Sequence, residues 1–530
     1  MLQSREGLRT LSGRRTIVVG AGPGGLATAL LLAKAGLHVT LIEKDAQVGG
    51  RTKTVEAPGR YRFDIGPTFF LYPQILADIF ESCGERLEDH VRLERLDPQY
   101  NLVFEGEGGI SGQIRATGDV PRLKAEIARL APADAENVEK FFEENRTKLN
   151  YFKPVLEQPF DNILSMASPA MLAALPHLHP GRSVDRDLKR YFADPRVRLA
   201  FSFQTKYLGM SPFRCPSLFT ILSFLEYEHG VYHPVGGCGA VSEAMAGLAR
   251  RMGVDIRLGQ SVERILFEGK RATGVVVDGE TLKADAVVVN GDFAKVIRDL
   301  VPEERRPRWR DAKIGKARLS CSTYMLYLGI EGKMPESLGH HTILLAKEYE
   351  RNIKEITGGT LPMEPSIYVQ HAGFTDGGMA PPGHTALYVL VPVPNLKAGI
   401  DWETIGPTYR KLILERLKLL GLPDIESRIR YERVVDPRDW RDEFAVHEGA
   451  TFNLAHDLMQ MLWFRPHNRF GPGLYLVGGG THPGSGLPVI YEGARISARL
   501  LIEDLAKEKA PAILADLPTT SPLATQGDPS

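Results

Sequence analysis

Two glycine-rich turns stand out as candidate ligand-binding segments. The first, Gly20-Ala21-Gly22-Pro23-Gly24-Gly25, follows the β-branched run "RTIVV" and opens an Ala/Leu-rich stretch, Leu26 to Ala35. Gly20-x-Gly22-x-x-Gly25 at such a junction is a dinucleotide-binding fingerprint. Gly20 permits the tight turn, Gly22 lets the backbone approach a pyrophosphate, and Gly25 lets helix and strand pack closely. The helix amino terminus then offers oriented N–H groups to a phosphate. Glu43 ends the next strand, "HVTLIE", where a carboxylate can accept hydrogen bonds from ribose hydroxyls. The second turn, "GGGTHPGSGLP" (Gly478 to Pro488), sits near the other end of the chain and follows another buried-strand run, "GLYLV".

Further turns lie between these two. Gly49-Gly50-Arg51 comes just past Glu43, where a glycine pair can pass close to a ligand and an arginine can reach a phosphate or a ring. "FDIGPTFF" (Phe63 to Phe70) adds a Gly-Pro turn. Cys83, Cys215, Cys238 and Cys321 are scattered without metal-ligand spacing, so no metal is expected and a reduced cytosolic setting fits the unpaired thiols. Lys plus Arg equal Asp plus Glu at 65 each, which argues against a nucleic-acid partner. No apolar run reaches the roughly 18–20 residues that span a bilayer.

The strands and helices expected around these turns give an α/β fold, built as a Rossmann-like nucleotide-binding domain in discontinuous pieces. A flexible leader (1–14) precedes the first piece (15–115). A helical region (116–228) includes an amphipathic, charge-rich stretch and the apolar, proline-punctuated run Pro154 to Pro180. That run reads either as a buried helical hairpin or as a surface that touches a membrane or admits a greasy substrate. The second piece (229–293) returns to strands and an Ala-rich helix. An inserted substrate domain of sheet plus helices (294–469) follows, then the third piece (470–508) and a disordered tail (509–530). On this plan pieces from the start, middle and end complete one sheet, so both glycine turns serve one ligand.

Assembled this way, the chain resembles the bacterial-type phytoene desaturase family of carotenoid oxidoreductases, within the amine-oxidase-like flavoproteins. The matching stretches include "VVGAGPGGLATALLLAKAG", "EKDAQVGGRT", "FDIGPT", "FSFQTKYLGMSPF" and "EHGVYHPVGG". The most specific are "FRPHNR" and "GTHPGSGLP". The resemblance implies FAD. Gly20, Ala21, Gly22, Gly24, Gly25, Glu43, Lys44, Gly50, Arg51 and Thr52 would hold its ADP half, and Val262 would present backbone to the adenine edge. Pro67, Thr68, Gly480, Leu487, Pro488 and Val489 would lie toward the isoalloxazine. Gly479 stands where the wider amine oxidases carry an acid, which favours the desaturase branch.

The implied reaction removes two hydrogens from adjacent carbons of a linear polyisoprenoid. A hydride goes to the flavin and a proton to an acceptor, for which Glu226, His233 and His482 are candidates. Quinone or oxygen would reoxidise the flavin. Alternatives on the same fold are a carotenoid end-group oxidase, a squalene-type desaturase, and a flavin-dependent cis–trans isomerase. Collecting an insoluble hydrocarbon implies a cytoplasmic protein peripherally associated with the cytoplasmic membrane.

Overall fold

The computed structural model describes Leu11 and residues 13–515. Its central sheet has six strands in the order Asp255–Arg257, His38–Ile42, Arg15–Val19, Ala286–Asn290, Leu474–Val477, Arg469–Gly471. The first five run parallel and only the last edge strand is antiparallel. Neighbouring strands thus come from the beginning, middle and end of the chain, which is what brings both glycine turns to one edge.

Residues alternate between the two faces of this sheet, as the two-residue strand period requires. Val18, Val39, Leu41, Val288, Tyr475 and Val477 pack under the helices Pro23–Lys34, Gly239–Arg251 and Leu487–Ala515. Ile17, Ile42, Val287, Val289, Leu474 and Leu476 pack on the other side, with Ile265, Val275 and Phe293. There a three-stranded meander, Val262–Glu268, Arg271–Val277 and Glu280–Lys283, and the helix Phe293–Leu300 cover the sheet. The helix Pro23–Lys34 is apolar almost all round because it is enclosed on every side.

A second sheet has seven strands, ordered Ile429–Val435, Ser322–Glu331, His384–Val393, Ile367–His371, His341–Leu345, Tyr100–Gly106, Gly109–Ala116. The helix Trp402–Leu417 packs on one face through Trp402, Tyr409 and Ile413 against Leu326, Leu328 and Val389. The other face, with Met325, Tyr327 and Tyr388, meets Ala57, Tyr61, Phe63 and Ile65 of the first segment.

Three boundaries differ from the sequence reading. The hairpin of Tyr100–Gly106 and Gly109–Ala116, placed in the first nucleotide-binding piece, belongs to the second sheet. Its inner strand pairs in parallel with His341–Leu345, Leu102 facing Ile343, a long-range pairing that no local pattern encodes. The end of the expected leader is packed rather than loose: Leu11 is buried, and Arg14 pairs with Asp285. The last helix continues to Ala515, past the expected start of the tail at 509 and through Pro511. The rest of the leader (1–10 and 12) and of the tail (516–530) lies outside the described residues.

Candidate functional site

The first glycine turn is built around one side chain, Asn290, which ends the strand Ala286–Asn290. Asn290 Nδ2 donates to the Gly20 carbonyl at 3.1 Å. Gly20 takes a left-handed φ of 96°, and a Cβ there would meet the Asn290 carbonyl oxygen at 2.1 Å. A Cβ on Gly25 would meet the Gly20 carbonyl oxygen at 2.0 Å. On Gly22 it would meet Asn290 Nδ2 at 2.9 Å, and on Gly24 Asn290 Oδ1 and Val477 Cγ2, each at 2.9 Å. No side chain caps the helix that begins at Pro23, and no acid lies in its first turn. Its positive end therefore stays available to an anion.

Glu43 is buried; its Oε2 accepts from the Ala21 N–H at 2.7 Å and its Oε1 from the Asp45 N–H at 3.0 Å. Lys44 is exposed. The Gln260 N–H donates to the Glu43 carbonyl at 3.0 Å, while Gln260 Oε1 is buried without a partner among the described residues. An orphaned acceptor here is what an N–H or O–H group of a bound nucleotide would satisfy. Val262, two residues on, is half-buried and pairs with Val277. Removing the carboxylate in Glu43→Ala strips two backbone N–H groups of a charged acceptor, a change of about 1.5–3 kcal/mol. FAD titration of the apoprotein should show affinity roughly 10- to 100-fold weaker, and unchanged affinity would remove Glu43 from the site.

Gly49 and Gly50 both have left-handed φ, 103° and 52°, and Gly49 N–H donates to the Ala21 carbonyl at 2.8 Å. This folds the second glycine pair back on the first turn; a Cβ on Gly50 would lie 3.5 Å from Gly22 Cα. Thr52 Oγ1 bonds the Gly49 carbonyl and Ser242 Oγ, each at 2.8 Å. Arg51 Nη1 donates to the Thr451 carbonyl at 2.7 Å. Burial lowers its pKa against the attraction of Asp292. Burial also raises Asp292, to about 6, although Arg51 pulls it down.

The second sheet grips the Gly-Pro turn with three tyrosines from three adjacent strands. Tyr327 donates to the Ile65 carbonyl at 2.7 Å, Tyr388 to the Gly66 carbonyl at 2.8 Å, and the Tyr368 hydroxyl bonds Thr68 Oγ1 at 2.6 Å. Pro67 between them is half-buried. Gly66 lies so close to Arg51 that a Cβ would meet the Arg51 carbonyl oxygen at 2.7 Å.

The late turn is held by "FRPHNR". Arg465 is fully buried, and its guanidinium donates to the carbonyls of Gly479 (2.6 Å), Thr481 (3.2 Å) and Gln460 (3.2 Å). Among the described residues no carboxylate lies within ion-pair distance, and burial lowers it to about 9. Asn468 Nδ2 bonds the His482 carbonyl at 3.0 Å, and His456 Nε2 accepts from the Ser485 N–H at 3.0 Å. Gly480 is pressed between Asn453 and Phe293, where a Cβ would find atoms at 2.4 and 2.5 Å. The helix then starts at Leu487, with Pro488 and Val489 half-buried in its first turn. Ile490 reaches Gly24, where a Cβ would stand 3.0 Å from Ile490 Cγ2. The two turns are therefore neighbours at the carboxyl ends of the strands Arg15–Val19 and Leu474–Val477, and Gly20, Gly50, Pro67, Gly478 and Pro488 are all half-buried. That is the strand-end crevice where open α/β sheets bind ligands.

The three proton-acceptor candidates are not brought together. His482 Nε2 donates to the Gln158 carbonyl at 2.7 Å, and burial lowers it to about 3. His233 sits against Asp376, Nε2 to Oδ2 3.3 Å, and burial lowers it also. Glu226 lies on the helix Thr220–His229, inside an aromatic core. Asn290, Asp292, Asn453 and Ser242 were missed by sequence reasoning. Asn290 alone left a trace, as the polar end of an apolar strand.

The flavin containing amine oxidoreductase family matches residues 23–502, so the chain belongs to that family. It is an FAD-dependent oxidoreductase. A 4,4'-diapophytoene desaturase (4,4'-diapolycopene-forming) of Methylomonas sp is 41% identical, over 92% of this chain and 95% of that protein. An all-trans-zeta-carotene desaturase of Myxococcus xanthus is 40% identical, over 94% and 95%. Among solved structures, an oxidoreductase from Methanosarcina mazei shares the fold with a TM-score of 0.62 at 20% identity, over 91% of this chain and 99% of that one. The glycine cradle, the uncapped helix end and the orphaned Gln260 acceptor all fit the FAD that this membership entails.

Proposed function

We propose that the protein is an FAD-dependent carotenoid desaturase that oxidises C–C single bonds of a linear polyisoprenoid. The observation that carries this reading is the apposition of the two glycine turns with a sheet whose tyrosines close over Ile65 to Thr68. It is supported by the activity of the relatives just described. Bound FAD supplies the hydride acceptor. The chain's own part is to hold the nucleotide on Gly20 to Gly25, seat the ring end between Thr68 and the Gly480 to Val489 turn, and exclude water. Quinone or oxygen is the proposed final electron acceptor.

Feeding phytoene, diapophytoene and a preformed coloured carotenoid in turn tests this. Longer chromophores from the first two support the reading; oxidation confined to end groups of the third contradicts it.

We further propose that the protein is cytoplasmic and collects substrate from the cytoplasmic membrane through an apolar rim. Among the described residues no helix is long and apolar enough to cross a bilayer. In the run Pro154 to Pro180, Phe160 is buried beside His482, whereas Ile163, Leu164, Leu172 and Leu175 are 58%, 73%, 59% and 48% exposed. Leu458 and Met459, also exposed, precede a short turn, Leu462–Phe464, that packs on Ile163–Ala167. A rim of this kind, rooted on the late glycine turn, suits an acyl-chain boundary. Leu164→Glu with Met459→Glu should cut liposome flotation at least tenfold while leaving FAD content intact. Undiminished flotation would count against this rim.

A further inference from the structure

Desaturation releases a proton as well as a hydride, and the two histidine candidates are committed to Gln158 and Asp376. Glu226 is different. It is 1% exposed, and no Lys or Arg lies within ion-pair distance of it among the described residues. Its Oε1 accepts from the Tyr100 hydroxyl at 3.2 Å and its Oε2 from Gln204 Nε2 at 3.0 Å. The Tyr207 hydroxyl donates to that of Tyr100 at 3.0 Å. These neighbours present donors, an arrangement suited to a carboxylate, yet the surrounding core disfavours charge.

The cluster reaches toward the Gly-Pro turn. Phe69, next to Thr68, lies edge-on to Tyr100, Tyr207 and His341 with centroids 6.0, 5.4 and 5.5 Å away. Tyr100 stacks on His341 at 5.3 Å, and Tyr368, bonded to Thr68, lies 5.7 Å from His341. His341 Nδ1 bonds the Gln99 carbonyl, leaving Nε2 buried without a partner among the described residues. Packed aromatic rings thus connect Thr68 to Tyr100, and from Tyr207 through Tyr100 hydrogen bonds run on to Glu226.

We propose that Glu226, reached through the hydroxyls of Tyr207 and Tyr100, takes up the proton that leaves the substrate after hydride loss. The inference rests on the desaturase reading. One C–H bond breaks and its electron pair leaves as hydride to FAD, the oxidant. The neighbouring C–H bond breaks and its pair becomes the new C=C bond. That proton joins a tyrosine oxygen as the relay passes one on to Glu226, whose carboxylate becomes the acid and later releases the proton to solvent. Acting through the tyrosines, Glu226 is the end of a relay rather than a catalytic residue.

Burial raises Glu226 to about 8 against the hydrogen bonds from Gln204 and Tyr100. The titratable groups around it do not change charge in that range: burial pushes Tyr100, Tyr207, Tyr227 and Tyr368 up and His341 down to about 3. The base form of an acid grows as pH rises, so the wild-type single-turnover rate should climb through about pH 8. Glu226→Gln should lower that rate about 100-fold and flatten the profile, with FAD content and Tm unchanged. Infrared spectra at pH 7 should show a protonated carboxyl band that the variant lacks. Tyr100→Phe, which interrupts the relay and removes one hydrogen bond to Glu226 but keeps the carboxyl itself, should flatten the profile while keeping the band. Wild-type rate and profile in both variants, or a carboxyl already ionised at pH 6, would overturn the inference. Wild-type enzyme that forms no conjugated product in the same assay sinks the desaturase reading, and the inference with it.

Discussion

Gly20→Ala should purify without FAD, or not fold. A methyl group there would sit 2.1 Å from the Asn290 carbonyl oxygen, and the residue has φ of 96°. Relief requires the first strand to part from Ala286–Asn290, the pairing that joins the start of the chain to its middle. Overpacking together with a disfavoured backbone costs about 3 kcal/mol or more. Gly36 provides the control: at the other end of the same helix it has φ of 87°, but among the described residues nothing lies within 4 Å of an added Cβ. Gly36→Ala should lose only about 1–2 kcal/mol and stay yellow. Equal flavin content in both variants would mean that close approach at Asn290 does not shape the site.

Arg465→Lys is the second large effect. The guanidinium fork reaches three carbonyls at 2.6–3.2 Å from a fully buried position. An ammonium keeps the charge but is a single point of donation and cannot span the same set. At least two carbonyls would lose their donor, costing about 3 kcal/mol. Two of the three belong to Gly479 and Thr481, so the damage falls on the late turn. FAD affinity should drop about 100-fold, with a lower Tm. If lysine restored both to wild-type values, charge alone would explain the arginine.

The parts of this site legible in the sequence are those whose signal is local. The strand-turn-helix around Gly20 to Gly25, the acid at Glu43 and the strand-glycine junction at Val477–Gly478 can be read from spacing because each feature's partners lie within a few residues. Asn290 could not be read that way. Its importance arises only when the strand that it ends is laid beside the first one, 270 positions away in sequence. The same holds for Tyr327, Tyr388 and Tyr368, which look like ordinary strand aromatics until three adjacent strands aim them at Ile65, Gly66 and Thr68. "FRPHNR" was distinctive as a string, but the bonds from Arg465 and Asn468 to the late turn appear only in three dimensions. Glu226 illustrates the opposite difficulty. In the sequence it is an acid among aromatics; burial without a cation is what sets it apart.

The reaction proposed for this protein is two-hydrogen oxidation of a polyisoprenoid by enzyme-bound FAD. The most direct test is anaerobic single turnover of the purified, FAD-loaded protein with phytoene or diapophytoene in liposomes. Product mass and the flavin absorbance are followed together. The expected product is lighter by two hydrogens for each flavin bleached, with a longer-wavelength chromophore. Product of unchanged mass, or product formed with the flavin still oxidised in the absence of an acceptor, would contradict it.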